Sequence, residues 1–144
     1  MTRYFEDLSV GMAAEATRLV SEADVAAFAA VSGDHNPVHM DAAYAAATPF
    51  RARIAHGALI ASFVSALMAA EVPGPGGIYI SQTVTFRRPV KIGDEVVTKV
   101  SIAALDVTKS HVTIAFECSV AGRTVMDGEA LVIVPRRLRA RASV

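Results

Sequence analysis

The chain has 144 residues, 53% hydrophobic and 19% charged, with a formal net charge of zero. That length suits one domain, and the hydrophobic share excludes an intrinsically disordered chain. Zero net charge removes the electrostatic case for nucleic-acid binding.

Trp is absent and aromatic residues make up 6%, so an aliphatic core is expected. Cys118 is the single cysteine, which excludes an intrachain disulfide and fits a reducing compartment. Its place in an alternating strand pattern predicts a small buried hydrophobe. Residues 1–11 lack a signal-peptide pattern. The longest apolar helix is shorter than the roughly 20 residues that span a bilayer. A cytoplasmic protein without a membrane partner is expected.

The first third reads as helical and irregular. Ser21 and Asp24 form a capping-box pattern, which predicts a short helix through Val31 with Val25, Phe28 and Ala29 on its inner face. Gly33 ends it. A bent D-H-N-P loop follows, and Asp41 is placed to cap another short helix containing Tyr44 and Ala45. Residues 48–55 read as a loop. Residues 57–70 read as the central helix, in which Leu59, Ile60, Phe63, Val64, Leu67 and Met68 leave almost no polar face. A helix apolar nearly all round is buried on most sides.

Pro73 and the glycines after it close that helix. From there the alternation predicts strands over 78–86, 96–102, 112–120 and 124–134, the last interrupted near Asp127-Gly128. A tight hairpin is expected at Ala121-Gly122-Arg123. The fold class is therefore α+β, a single curved antiparallel sheet wrapped around a central helix. One domain is expected over residues 1–135, with an arginine-rich C-terminal tail over 136–144. For Arg136, Arg137, Arg139 and Arg141 both a solvated tail and a contact with an anionic ligand or partner subunit are open. The unpaired edge of such a sheet predicts a homodimer, with strand 78–86 near the contact.

The stretch S-G-D-H-N-P-V-H-M-D over residues 32–41 carries the chemistry. It sets the carboxylate of Asp34 and the imidazole of His39 five residues apart across a bend enforced by Asn36-Pro37. Farther on, Ala55-His56-Gly57 opens the apolar helix, whose first N–H groups and positive dipole end suit a developing oxyanion. A base, a proton carrier and an oxyanion donor at Gly57 are the parts needed for reaction beside a carbonyl.

These motifs, with Phe86-Arg87-Arg88-Pro89-Val90, Gly93-Asp94 and Gly128-Glu129-Ala130, resemble those of the MaoC-like (R)-specific enoyl-CoA hydratases, which have the hotdog fold. The resemblance spans about residues 5–135. It departs at Ala52-Arg53, where relatives often carry Arg-Pro. It implies hydration of a trans-2-enoyl-CoA to the (R)-3-hydroxyacyl-CoA and the reverse dehydration. Asp34 would take the proton of water, His39 would hold that water and help protonate the α-carbon, and Gly57 N–H would stabilise the enolate.

Asn36 reads either as a turn residue or, as the resemblance favours, as part of the site. Ser65 and Met68, one helical turn apart, either face the acyl tail or, for Met68, belong to the core. One of Arg87 and Arg88 is expected to meet a CoA phosphate and the other to be solvated. His56, adjacent to Gly57, reads as structural, its ring fixing the loop, and not as a base. His35 and His39 have H-x-x-x-H spacing, but Asn36-Pro37 breaks the helix a zinc pair requires; no metal and no cofactor are expected. The partner is an acyl-CoA thioester, with an acyl carrier protein as the alternative carrier, which would make the protein a 3-hydroxyacyl-ACP dehydratase. A thioesterase or a non-catalytic acyl-CoA-binding subunit on the same fold remain the other readings.

Overall fold

The computed structural model describes residues 3–138. Its sheet is built from β1 (Ala13–Leu19), β2 (Ile78–Phe86), β3 (Glu95–Asp106), β4 (His111–Val120) and β5 (Arg123–Ile133). Every pairing is antiparallel and the order is β1-β3-β4-β5-β2. The helices are α1 (Glu22–Ser32), α2 (Pro37–Met40), α3 (Ala42–Ala46) and α4 (Gly57–Ala70), preceded by a single 3-10 turn at Phe5–Asp7. No helix among the described residues is long and apolar enough to cross a membrane.

Local chemistry accounts for these boundaries. Ser21 Oγ accepts from Asp24 N–H while Ser21 N–H donates to the Asp24 carboxylate, the reciprocal capping box that starts α1. Gly33 ends it at φ 80°, a left-handed position that favours glycine. Val25 and Ala29 are buried, and Phe28 packs partly buried against the core. Asp41 caps α3 through Tyr44 N–H.

The expected sheet around a helix is what the chain forms. Val96, Thr98, Val100 and Ile102 of β3 and Val112, Ile114, Phe116 and Cys118 of β4 turn inward and are buried. The Cys118 thiol is pushed up by burial, as befits a core residue. On α4 the six large apolar residues are buried, each contributing about 1.5–3 kcal/mol.

Three expectations change. The first third is not only helical, because β1 pairs with β3 along its whole length. α4 is buried on one broad side only; its small residues, including Ala58, Ser62, Ser65 and Ala66, are exposed. β5 is not interrupted at Asp127-Gly128, where pairing to β4 and β2 is continuous. Gly128 is there because a side chain would run into the main-chain oxygen of Thr83 and lie 2.9 Å from the Phe116 ring.

Topology positions the site. β2 and β3 are neighbours in sequence but lie three strands apart, so the segment between them must cross. In crossing it lies beside the approach to α4, where Ala55 N–H donates to Val90 O at 2.7 Å and Ile54 forms a bridge with Lys91. Near the chain's two ends, Phe5 N–H donates to Pro135 O at 2.8 Å. Arg137 pairs with Asp7 at 2.6 Å and Arg136 with Glu6 at 3.7 Å. Those two arginines are thus engaged with the domain itself; Arg139 and Arg141 lie outside the described residues.

Candidate active site

Asp34 lies in the loop between α1 and α2. Asn36 N–H donates to its Oδ1 at 3.1 Å, and Asn36 Oδ1 accepts from Val38 N–H at 3.3 Å as the cap of α2. Pro37 occupies the first helical turn, where its missing N–H costs nothing. His39 therefore sits on a one-turn helix rather than in an open loop.

A helix of four residues cannot hold itself. Residues 53 and 54 grip it with three hydrogen bonds. Arg53 Nε–H donates to His39 O at 2.6 Å, Ile54 N–H to Val38 O at 3.2 Å, and the His39 ring donates through Nδ1 to Ile54 O at 2.8 Å. A carbonyl can only accept, so Nδ1 carries a proton, and the neutral tautomer with that proton presents a lone pair at Nε2. Arg53 is anchored in turn by Glu22 at 2.7 Å.

One carboxylate oxygen of Asp34 and one ring nitrogen each of His39 and His56 lie within 4.8 Å of one another. A single water can bridge groups at that spacing. These are donors a metal also uses, but the rings of His39 and His56 lie over each other, 4.0 Å between centroids and 32° between planes. Nitrogens on rings so stacked do not converge at the ~2 Å of a zinc bond. His35 lies in the exposed part of the loop, apart from this set.

Gly57 opens α4, and its cap residue His56 makes no side-chain capping bond. The first main-chain N–H groups bonded within the helix are those of Leu59 and Ile60, both to His56 O. The N–H groups of Gly57 and Ala58 have no acceptor among the described residues. Both residues line a groove of about 560 Å³ that also includes His39, Phe86, Arg87 and Arg88. A Cβ on Gly57 would stand 2.7 Å from the Phe86 ring.

Arg87 forms a two-pronged pair with Asp127, at 2.7 and 2.9 Å. Those hydrogen bonds hold the Asp127 carboxyl below its usual range and raise Arg87. Arg88 donates to Thr124 O at 2.6 Å and has no carboxylate partner among the described residues.

Ser65 and Met68 are not in this groove. Ser65 is exposed on α4 and lines a second groove of about 440 Å³ with Ala58, Ser62 and Tyr79. Ala58 lines both grooves, so they adjoin. Met68 is 3% exposed and belongs to the core, touching only a small cavity beside Ser65 and Tyr79.

Two contacts escaped the sequence reading: the Arg53 grip on α2, whose signal was the Ala52-Arg53 departure from the pattern of relatives, and Phe86 against Gly57. His56, expected to fix the loop with its ring, bonds the Asp34 carbonyl.

Comparison with known proteins gives this geometry its context. The chain is 48% identical over 134 residues to a 3-hydroxybutyryl-CoA dehydratase of Methylorubrum extorquens, covering 93% of this chain and 85% of that protein. It is 46% identical to an (R)-specific enoyl-CoA hydratase of Rhodospirillum rubrum, covering 93% of each. An unliganded R-hydratase structure from Pseudomonas aeruginosa superposes with a TM-score of 0.87 at 43% identity, covering 98% of this chain and 94% of that one. The architecture is thus the hotdog fold of the MaoC-like hydratases. The MaoC like domain family matches residues 8–121, and with this fold and these identities the chain belongs to it.

Proposed function

We propose that the protein hydrates trans-2-enoyl-CoA to (R)-3-hydroxyacyl-CoA and catalyses the reverse dehydration. One observation carries this reading: a carboxylate oxygen of Asp34 lies within 4.8 Å of a ring nitrogen of His39, and His39 lines the same groove as Gly57, whose N–H is unpartnered among the described residues. In hydration, water held by the pair adds its oxygen to the β-carbon. The pair takes the released proton, and the alkene electrons move through the α-carbon into the thioester oxygen. Gly57 N–H meets that oxygen as it gains charge, an interaction typically worth ~3–4 kcal/mol. The enolate then collapses and the α-carbon takes a proton from the pair, so atoms and charge balance. Asp34 and His39 share the proton as a unit. Both groups stand on one side of the substrate, which supports addition to one face.

The acyl tail runs along α4 from the first groove past Ala58 into the second, with Ser65 on its wall and Met68 beneath. Arg88, rather than Arg87, meets a CoA phosphate, because the Arg87 fork is already filled by Asp127. The protein acts as a homodimer. β2 offers an open edge on which Ile78, Ile80 and Phe86 are exposed, and an open apolar edge needs a partner. Sedimentation equilibrium at micromolar concentration is expected to return twice the chain mass; an active monomer would refute that part.

The enzymatic test is loss of the enoyl thioester absorbance with crotonyl-CoA and longer homologues, followed by chiral analysis of the product. Formation of (R)-3-hydroxybutyryl-CoA is expected. Thiol release without hydration would replace this reading by a thioesterase.

A further inference from the structure

His56 is a buried titratable side chain with no part in the chemistry above. It is 1% exposed, and its Nδ1 has no hydrogen-bond partner among the described residues. A buried polar atom without a partner costs free energy. A phenylalanine would fill the same space without that cost, so packing does not explain a histidine here.

Two of its contacts go to the two residues of the proposed dyad. Nε2–H donates to the main-chain oxygen of Asp34 at 2.9 Å. The ring lies over that of His39 at 4.0 Å between centroids, while Phe28 packs against it at 4.8 Å. Asp34 lies outside any helix or strand, and no other described residue donates to its carbonyl. Its carboxylate is consequently located by three ties: its own N–H donating to Ser32 Oγ at 3.1 Å, the Asn36 N–H on Oδ1, and, alone in coming from outside the loop, the His56 bond to its main-chain oxygen. For His39, the Nδ1 bond to Ile54 fixes one edge of the ring, and the stacked face of His56 limits its tilt.

We propose that His56 is the positioning residue of the Asp34–His39 pair, its N–H setting Asp34 and its ring face setting His39. The inference rests on the dyad reading given above. Being the residue before Gly57, His56 also ties the dyad to the opening of α4, so base, proton carrier and oxyanion donor share one rigid joint.

Two substitutions divide the role. His56→Phe keeps a flat ring and loses the donor. His56→Gln keeps an N–H near the position of Nε2 and loses the ring. The measurements are kcat and KM with crotonyl-CoA, the melting temperature, and the nitrogen-15 spectra of the histidine rings.

For His56→Phe, kcat is expected to fall roughly 10- to 100-fold, the cost of displacing a reacting group by about 1 Å, with KM changed by no more than about twofold. His56→Gln should recover a measurable part of that loss. The His39 ring should stay protonated at Nδ1 in all three proteins, because the Ile54 bond persists, but its signals should broaden in His56→Gln, where no stacked face limits its tilt. The ring spectra do not depend on the substrate. A parent protein inactive on crotonyl-CoA would count against the proposed function, while the spectra still decide this inference. Wild-type kcat in His56→Phe would overturn it. So would equal losses in both variants that follow melting temperature, with His39 signals unchanged in His56→Gln.

Discussion

The ring of Phe86 occupies the space into which a side chain on Gly57 would project, 2.7 Å from an added Cβ. The glycine therefore does two things: its N–H is free at the start of α4, and its missing side chain admits the ring. Phe86 is 57% exposed and its ring is the far end of a side chain, so Gly57→Ala is expected to fold with a small loss of melting temperature. The methyl group and the displaced ring crowd the thioester oxygen. We expect kcat to fall by about tenfold or more, and by more than KM rises, because the contact is strongest when the oxygen carries charge. Steady-state kinetics with crotonyl-CoA decide it; a folded, fully active variant would place the oxyanion donor elsewhere.

Asp34→Asn and His39→Gln should each lower kcat by roughly 10²–10⁴-fold, the range for removing a general acid or base. Asp34 is exposed and His39 only half-buried, so both variants should melt near the parent temperature. Near-normal hydration by either would remove that residue from the chemistry.

The two arginines of the groove should separate. Arg88→Gln is expected to raise KM for the CoA thioester severalfold and to leave the KM of a thioester truncated before the phosphates unchanged. Arg87→Gln should leave both nearly unchanged and act on stability instead. Arg87 lowers the Asp127 carboxyl, so its contribution is present above the ordinary carboxylate range and is lost as pH falls through the lowered value. The melting-temperature gap between Arg87→Gln and the parent should be visible at neutral pH and vanish in strong acid. A gap that persists there would assign the effect to packing.

The β4–β5 turn holds Ala121 at φ 50° and Gly122 at φ 76°. Positive φ at both positions is what a two-residue hairpin of this hand requires, and alanine is poorly suited to the first. Ala121→Asn is expected to stabilise the protein by about 0.5–1 kcal/mol in urea unfolding, without altering activity.

Much of this architecture could be read from local chemistry. The Ser21–Asp24 box, the stop at Gly33 and the start at Gly57 are decided within a few residues, and so were visible as sequence. β3 and β4 were visible because one face is buried and the alternation is clean. β1 was not, since Ala13-Ala14-Glu15-Ala16 has little strand propensity and becomes a strand only through its pairing with β3. Gly128 was misread as a break because its cause, the nearby Thr83 oxygen, lies 45 residues away in the chain. Asp34, His39 and Gly57 stood out by spacing. The ties from Arg53 and His56 join residues 14 and 22 positions apart, and no periodicity records such contacts.

The ties among Phe5, Asp7, Pro135 and Arg137 make the backbone closer to a ring than to a line. In a ring, the position of the break is a free choice. A short linker joining residues 4 and 137, with a new break at the exposed Ala121–Gly122 turn, should fold to the same sheet, because neither turn residue lines the groove. Such a permuted chain would carry residues 32–57 near its middle, with the groove intact.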